Sequence, residues 1–171
     1  NVTLSVIDAK HGKLLYKDIG EMLFTHFGVS GPLVLSASAF IRDSEKLKSG
    51  GYKLRIDLKP ALNEEQLDKR LQRDLLKNAN RDFINSLSAL LPSKLIPVFV
   101  SLSGIPAQTK SNQITKQQRF AAVKLLKSLD LTVKDLRPIE EAVITSGGVK
   151  LSEIRPSTME SKLVKNLYFA G

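Results

Sequence analysis

The chain has no cysteine and no tryptophan among its 171 residues, and only two histidines. Without cysteine there is no disulfide scaffold, no thiolate zinc site and no thiol catalysis. That fits a reducing compartment, and a cytoplasmic location is the expectation. Aromatic residues make up 6% of the chain, too few to suggest a platform on which bases stack. No stretch reaches the roughly 18 apolar residues that a membrane span needs, and the run Leu95 to Val100 is broken by Pro97. No signal-like segment opens the chain. A Walker loop, a Gly-x-Gly-x-x-Gly fingerprint and a Gly-x-Ser-x-Gly elbow are all missing. No His, Asp or Glu cluster has metal-ligand spacing, so no metal is expected.

What is present is ordinary globular material with a strong charge bias. Hydrophobic residues make up 42% and charged residues 25%. There are 26 basic and 17 acidic side chains, a formal net charge of +9. Such a chain is drawn to phosphates, anionic surfaces or acidic ligands. The cations are scattered, with no run of five or six, so a solvated basic surface is the plainer reading and nucleic acid is not the expected partner. A basic module that binds nucleic acid or a protein stays open as the alternative.

Periodicity divides the chain into three stretches. Val2, Leu4 and Val6 alternate with more polar neighbours, as in a strand with one buried face. Asp8 to Gly12 is turn chemistry, and Lys13 to Lys17 reads as the return strand. Met22 to Thr25 is a short apolar segment. Tyr52, Leu54, Ile56 and Leu58 alternate with charged residues, the clearest strand in the chain. Helical signals follow. Asn63 and Gln66 have capping-box spacing, and Leu67, Leu71 and Leu75 then form one stripe. Phe83, Ile84, Leu87, Leu90 and Leu91 form a second helical face. Ser93 is read as the cap of a third helix that holds Pro97 in its first turn. A strand over Pro97 to Ser101 is the alternative. Thr115 and Gln118 repeat the capping box before Phe120, Val123, Leu126 and Leu129. Strand chemistry returns at Ala142 to Thr145, resumes over Val149 to Leu151 and closes with Leu167 to Ala170. Pro156 to Glu160 is a turn or short helix. Both ends stop in strand-like sequence, as a piece of a longer chain would. The expected fold is α+β: a β-barrel-like subdomain over 1–59 and 131–171, interrupted by a small helical-bundle subdomain over 60–130.

Two segments could carry chemistry. In Thr25-His26-Phe27-Gly28-Val29-Ser30-Gly31-Pro32, Ser30 or Gly31 is placed to cap a helix with Pro32 at its first position. Amides left free at such a start suit an anion or a carbonyl oxygen. The plain reading is a tight strand-to-helix turn. In Thr145-Ser146-Gly147-Gly148-Val149, two glycines let the backbone approach a planar ring or a phosphate. A simple turn is again the plain reading. His11, beside Gly12, reads as an exposed turn residue, and Glu140-Glu141 as an exposed acidic pair.

Three motifs together resemble one family. They are Gly20 to Pro32 (GEMLFTHFGVSGP), Glu141 to Val149 (EAVITSGGV), and Thr158 to Lys162 (TMESK) followed by Leu167 to Gly171 (LYFAG). Their order and spacing are similar to those of the bacterial BaiN/YhiN-type flavoproteins, NAD(P)/FAD-dependent oxidoreductases of the aminoacetone-oxidase-like family. The resemblance covers essentially the whole chain. It implies the inserted, substrate-side domain of a cytoplasmic FAD-dependent oxidoreductase, with Leu167 to Gly171 opening the returning FAD-binding domain. NAD(P)H is the candidate co-substrate. The FAD-binding domain of the same full-length chain and a small-molecule substrate are the expected partners, with no membrane involved. His26 becomes the catalytic candidate. Thr25, Gly28, Ser30 and Gly31 become candidates for substrate or anion contact, and Gly147, Gly148 and Gly171 for contact with the cofactor in the full-length protein.

The dinucleotide fingerprint is absent from these residues, so this chain alone is expected to hold no FAD. Purified by itself, it should be colourless after desalting, whereas the full-length protein should be yellow. A flavin spectrum that persists on the isolated chain would refute this.

Overall fold

The computed structural model describes residues 1–142 and 148–170. It is α+β and divides into two units, residues 1–136 and 137–171.

In the first unit, β1 (Val2–Asp8), β2 (Leu14–Gly20), β5 (Tyr52–Asp57) and β6 (Leu129–Thr132) form a sheet in the order β2-β1-β5-β6. Every pairing is antiparallel. The register puts Ser5 opposite Lys17 on one side and Arg55 on the other, with a bulge between Val6 and Ile7. Period two is obeyed on β5, where Leu54 and Ile56 are buried while Lys53 and Arg55 are exposed; on β1 Ser5 is buried together with Leu4 and Val6. The barrel-like expectation meets an open four-stranded sheet among the described residues. A hairpin of β3 (Leu23–Thr25) and β4 (Gly28–Ser30) forms a separate two-stranded sheet. It leads into α1 (Pro32–Ser38) and α2 (Ser44–Lys48).

Two long helices cover the core. Both α3 (Glu64–Lys77) and α6 (Lys116–Lys127) begin with a reciprocal capping box, Asn63 with Gln66 and Thr115 with Gln118. The Leu67, Leu71 and Leu75 stripe of α3 is buried, as are Ala122, Val123 and Leu126 of α6. Between them lie α4 (Phe83–Ser86) and α5 (Ile96–Ser103).

Several sequence expectations are corrected here. The second helical face is helical only over Phe83–Ser86; Leu87, Leu90 and Leu91 are buried all the same, on turns. The third helix starts at Ile96 with Leu95 as its N-cap, so Ser93 does not cap it. The amides of Leu95 and Ile96 both donate to the Pro92 carbonyl, and this turn comes before the helix. The strand alternative for 97–101 is excluded by α5, which places Pro97 in the first turn, where no amide is missed. Leu129 belongs to β6, because α6 ends at Lys127. Phe120 is exposed, with the Lys124 ammonium 4.8 Å from its ring centroid.

The second unit has little regular structure. Leu151–Glu153 is a single 3₁₀ turn, so the strand expected over Val149 to Leu151 does not resume. The segment expected to be a buried strand, Leu167 to Ala170, makes one bridge, Glu160 to Tyr168, and exposes both Leu167 and Tyr168. Among the described residues of the unit it pairs with no named strand. The expected strand at Ala142 to Thr145 lies almost wholly outside the described residues.

One polar cluster fastens the end of β1. The Asp8 carboxylate lies 2.6 Å from the Lys46 ammonium of α2 and 3.1 Å from His11 Nδ1. It also accepts from the Lys10 amide at 2.9 Å and the His11 amide at 3.2 Å. The Lys46 hydrogen bond, then that of His11, hold its pKa well below the usual carboxylate range. A depressed folded pKa contributes stability that is present above the unfolded value of about 3.9 and is lost as pH falls toward the folded one. Asp8→Asn should therefore lower the melting temperature at pH 7. The gap to wild type should shrink as pH is lowered from about 4 toward 2. A gap that stays constant in melts across that range would show that the carboxylate charge is not what stabilises this corner.

Candidate functional site

The hairpin β3–β4 carries most of the candidate residues. Thr25 pairs with Gly28, so His26 and Phe27 form its two-residue tip. Thr25 Oγ1 donates to the Gly28 carbonyl at 3.2 Å across that tip. His26 is exposed, and its ring meets Phe27 edge-on with centroids 5.0 Å apart. Leu23, Phe24 and Phe27 are exposed as well, so the imidazole is presented from an apolar projection. Thr25, His26 and Gly28 are thus together. Ser30 and Gly31 sit at the opposite end of the hairpin, Ser30 paired with Leu23. Two residues of strand separate the ends, about 7 Å.

Gly31 is the N-cap of α1, with φ 100° and ψ 171°. A Cβ there would come within 3.1 Å of the Met22 Cα. Both constraints demand glycine, and both are structural. The amides that the sequence reading left for an anion are occupied. Pro32 has none, Leu33 donates to the Glu21 carbonyl, and Val34 and Leu35 donate to the Gly31 carbonyl. The helix start is a fold junction; what remains open for recognition is the hairpin tip.

Of the glycine-loop candidates, Gly147 and Gly171 lie outside the described residues. Gly148 has φ 128°, and an added Cβ would meet nothing within 4 Å. Positive φ alone therefore explains a glycine at that position.

Sequence reasoning missed two features. One is the Asp8–Lys46–His11 cluster, whose sole trace is an Asp at the end of an alternating strand. The other is the apolar exterior of the second unit. Among its described residues Ile154 and Ser161 are buried, while Leu151, Leu163, Val164, Leu167 and Tyr168 are exposed. Its backbone is nevertheless ordered by hydrogen bonds: Ser161 Oγ accepts from the Leu163 and Val164 amides, and the Ser161 amide donates to the Leu167 carbonyl at 2.7 Å. Polar groups are thus satisfied inside while hydrophobic side chains stand outside.

Residues 1–144 match the family model described as the HI0933-like protein barrel and H2TH domain. The chain belongs to this family, the BaiN/YhiN type of flavoprotein oxidoreductase. It is 30% identical over 160 residues to a 3-dehydro-bile acid delta(4,6)-reductase of Clostridium scindens, a match covering 93% of this chain and 39% of that protein. It is 30% identical over 169 residues to a ribosomal RNA dihydrouridine synthase of Escherichia coli, covering 98% of this chain and 38% of the relative. A ribosomal RNA dihydrouridine synthase of Haemophilus influenzae is 31% identical over 169 residues, covering 96% and 38%. The chain thus spans less than two fifths of the length of these relatives.

Two open grooves lie on the helical layer of the first unit. One, of about 540 Å³, lies along α5 and α6 beside Leu102, Lys124 and Ser128. The other, of about 490 Å³, lies beside Pro97, Gly104 and Ala107. Neither groove includes a hairpin residue, and no chemical step through a flavin is derived from this chain. No helix among the described residues is long and apolar enough to cross a membrane.

These roles separate on substitution. Gly31→Ala should destabilise the chain by about 1–3 kcal/mol through backbone strain, in denaturant melts. His26→Ala, at an exposed tip, should stay within about 0.5 kcal/mol of wild type. Equal losses would make His26 a structural residue.

Proposed function

We propose that this chain is the inserted, substrate-side domain of a FAD-dependent, NAD(P)H-linked reductase whose substrate is a uridine of ribosomal RNA. The observation that carries the reading is membership of the flavoprotein family across residues 1–144, with relatives matched over nearly the whole chain. In this reading residues 1–59 and 131–171 are its β-rich parts and 60–130 its helical part. FAD is held by the rest of the full-length protein, and Gly147, Gly148 and Gly171 face it. The exposed Leu151, Leu163, Val164, Leu167 and Tyr168 then pack on that FAD-binding domain, which accounts for their exposure in this chain.

The names of the relatives share one chemistry, reduction of a carbon–carbon double bond. When bound, the flavin supplies the hydride. This chain's part is to exclude water, orient the ring and deliver a proton, for which His26 is the candidate because its ring nitrogens can carry and release a proton. Thr25 and Gly28 hold the tip that presents it, and Ser30 and Gly31 fix the base of the hairpin. Charge favours RNA over a bile acid, since a net charge of +9 gains more from a polyanion than from a single carboxylate. The scatter of cations and lack of stacking aromatics had argued against nucleic acid; two relatives that carry ribosomal RNA in their names weigh more.

The test is made on the full-length protein with NADH or NADPH. Dihydrouridine should appear in a ribosomal RNA transcript, while a 3-oxo steroid diene is left unreduced. Reduction of the steroid alone would overturn the RNA reading. His26→Ala should slow oxidation of the reduced flavin by substrate about 10²-fold or more without loss of folding. Unchanged kinetics would remove His26 from the chemistry.

A further inference from the structure

We infer that the α3–α6 end of the helical layer, which carries Lys77, Arg81 and Lys116, is a docking surface for the phosphate backbone of RNA; this rests on the RNA reading above. The argument begins with the direction of the helices. Arg119 of α6 pairs with Asp68 of α3 at 2.7 Å, and Lys127 reaches back to the Leu62 carbonyl at 2.6 Å. The helices are therefore antiparallel, and the start of α6 lies toward the end of α3.

The two loops at that end are joined. The Asn112 amide donates to the Ala79 carbonyl at 3.1 Å and the Ser111 amide to the Arg81 carbonyl at 3.0 Å. Residues 82 and 110 form a β-bridge, and Lys110 pairs with Asp82 at 2.8 Å. Beneath them is a buried hydroxyl pair, Ser86 Oγ and Ser111 Oγ, 2.6 Å apart. Each hydroxyl also bonds the neighbouring loop, Ser86 to the Asp82 carbonyl and Ser111 to the Arg81 carbonyl. Lys77 and Lys116 stand on the helices themselves, and Asn80, Arg81, Asn112 and Gln113 on these joined loops, so all are carried by an ordered backbone and less freedom is lost on binding.

The exterior is basic. Lys77, Arg81 and Lys116 are exposed and make no ion pair among the described residues, in contrast to Arg55, Lys69 and Arg119, which are all paired. The acids at this end, Asp74 and Asp82, already face Arg70, Arg73 and Lys110. Around the free cations stand the exposed amide side chains of Asn80, Asn112 and Gln113. Unpaired cations with neutral donors between them suit phosphate oxygens and 2′-hydroxyls. An acidic protein surface would be a poorer match for those amides.

The experiment titrates a fluorescent ribosomal RNA hairpin with the full-length protein at several KCl concentrations. Three proteins are compared: wild type, the triple variant K77A/R81A/K116A, and a control triple K13A/K17A/K48A that removes equal charge from β2, its turn and α2. The patch variant should bind more weakly at low salt, with its log–log salt slope reduced by about 2–3, while the control stays close to wild type. Glutamine replacements at the same three positions serve if the alanine triple melts early. Equal weakening in both triples, or an unchanged slope in the patch variant, would overturn the surface while leaving the RNA reading intact. No binding by wild type would overturn both. Tighter binding of duplex DNA than of the hairpin would overturn RNA as the occupant.

Discussion

The contact between α3 and α6 holds the first unit together. Leu67, Leu71 and Leu75 meet a chain face made by Ala122, Val123 and Leu126, and all six side chains are almost fully removed from water. The same contact carries the sheet. The Leu58 amide donates to the Leu126 carbonyl at 2.8 Å, and Lys127 bonds the carbonyls of Lys59 and Leu62 as well as the Asp57 carboxylate. The turn leaving β5 is thereby tied to the last turn of α6, and β6 follows within two residues. Sheet and helices share one continuous apolar cluster. Loss of that helix pair would release both the helical layer and the edge strand of the sheet.

The elements legible in the sequence were those whose signal is local. The two capping boxes are such cases, because the residues that bond each other lie three apart and need no tertiary partner. The Tyr52 to Asp57 strand is another, since one face is buried and the other solvated. The failures lie where tertiary contact decides. Leu87, Leu90 and Leu91 have helical spacing and are buried on turns, because burial needs only the right radial position. Leu167 to Ala170 is strand-like in composition, but a strand exists only where a neighbour offers a ladder.

The candidate site was legible in part for the same reason. Gly31 and Pro32 announced a helix start, and the structure has one. What the motif could not convey is where the amides go. Three of them bond carbonyls of Glu21 and Gly31, long before any ligand arrives. A motif with glycine, proline and a short helix is thus explained by chain geometry without any anion. His26 is different. It makes no bond that the hairpin requires, it is exposed, and its neighbours at the tip are apolar. Retaining a titratable ring where the fold gains little from it is an argument for recognition or chemistry there.

In the function proposed above, charge and apolar exposure divide the surface by kind of partner. Water solvates an exposed lysine well, so an unpaired cation at the α3–α6 end carries little penalty and stays free for a mobile polyanion that binds and leaves. An exposed leucine has no such solvation, and each one that becomes covered gains free energy. In the function proposed above, Leu151, Leu163, Val164 and Leu167 are covered by a permanent neighbour, the FAD-binding domain of the same polypeptide. The two surfaces are not interchangeable. A polyanion would leave the leucines wet, and a packed domain would have to strip water from Lys77, Arg81 and Lys116 without offering them a counter-charge.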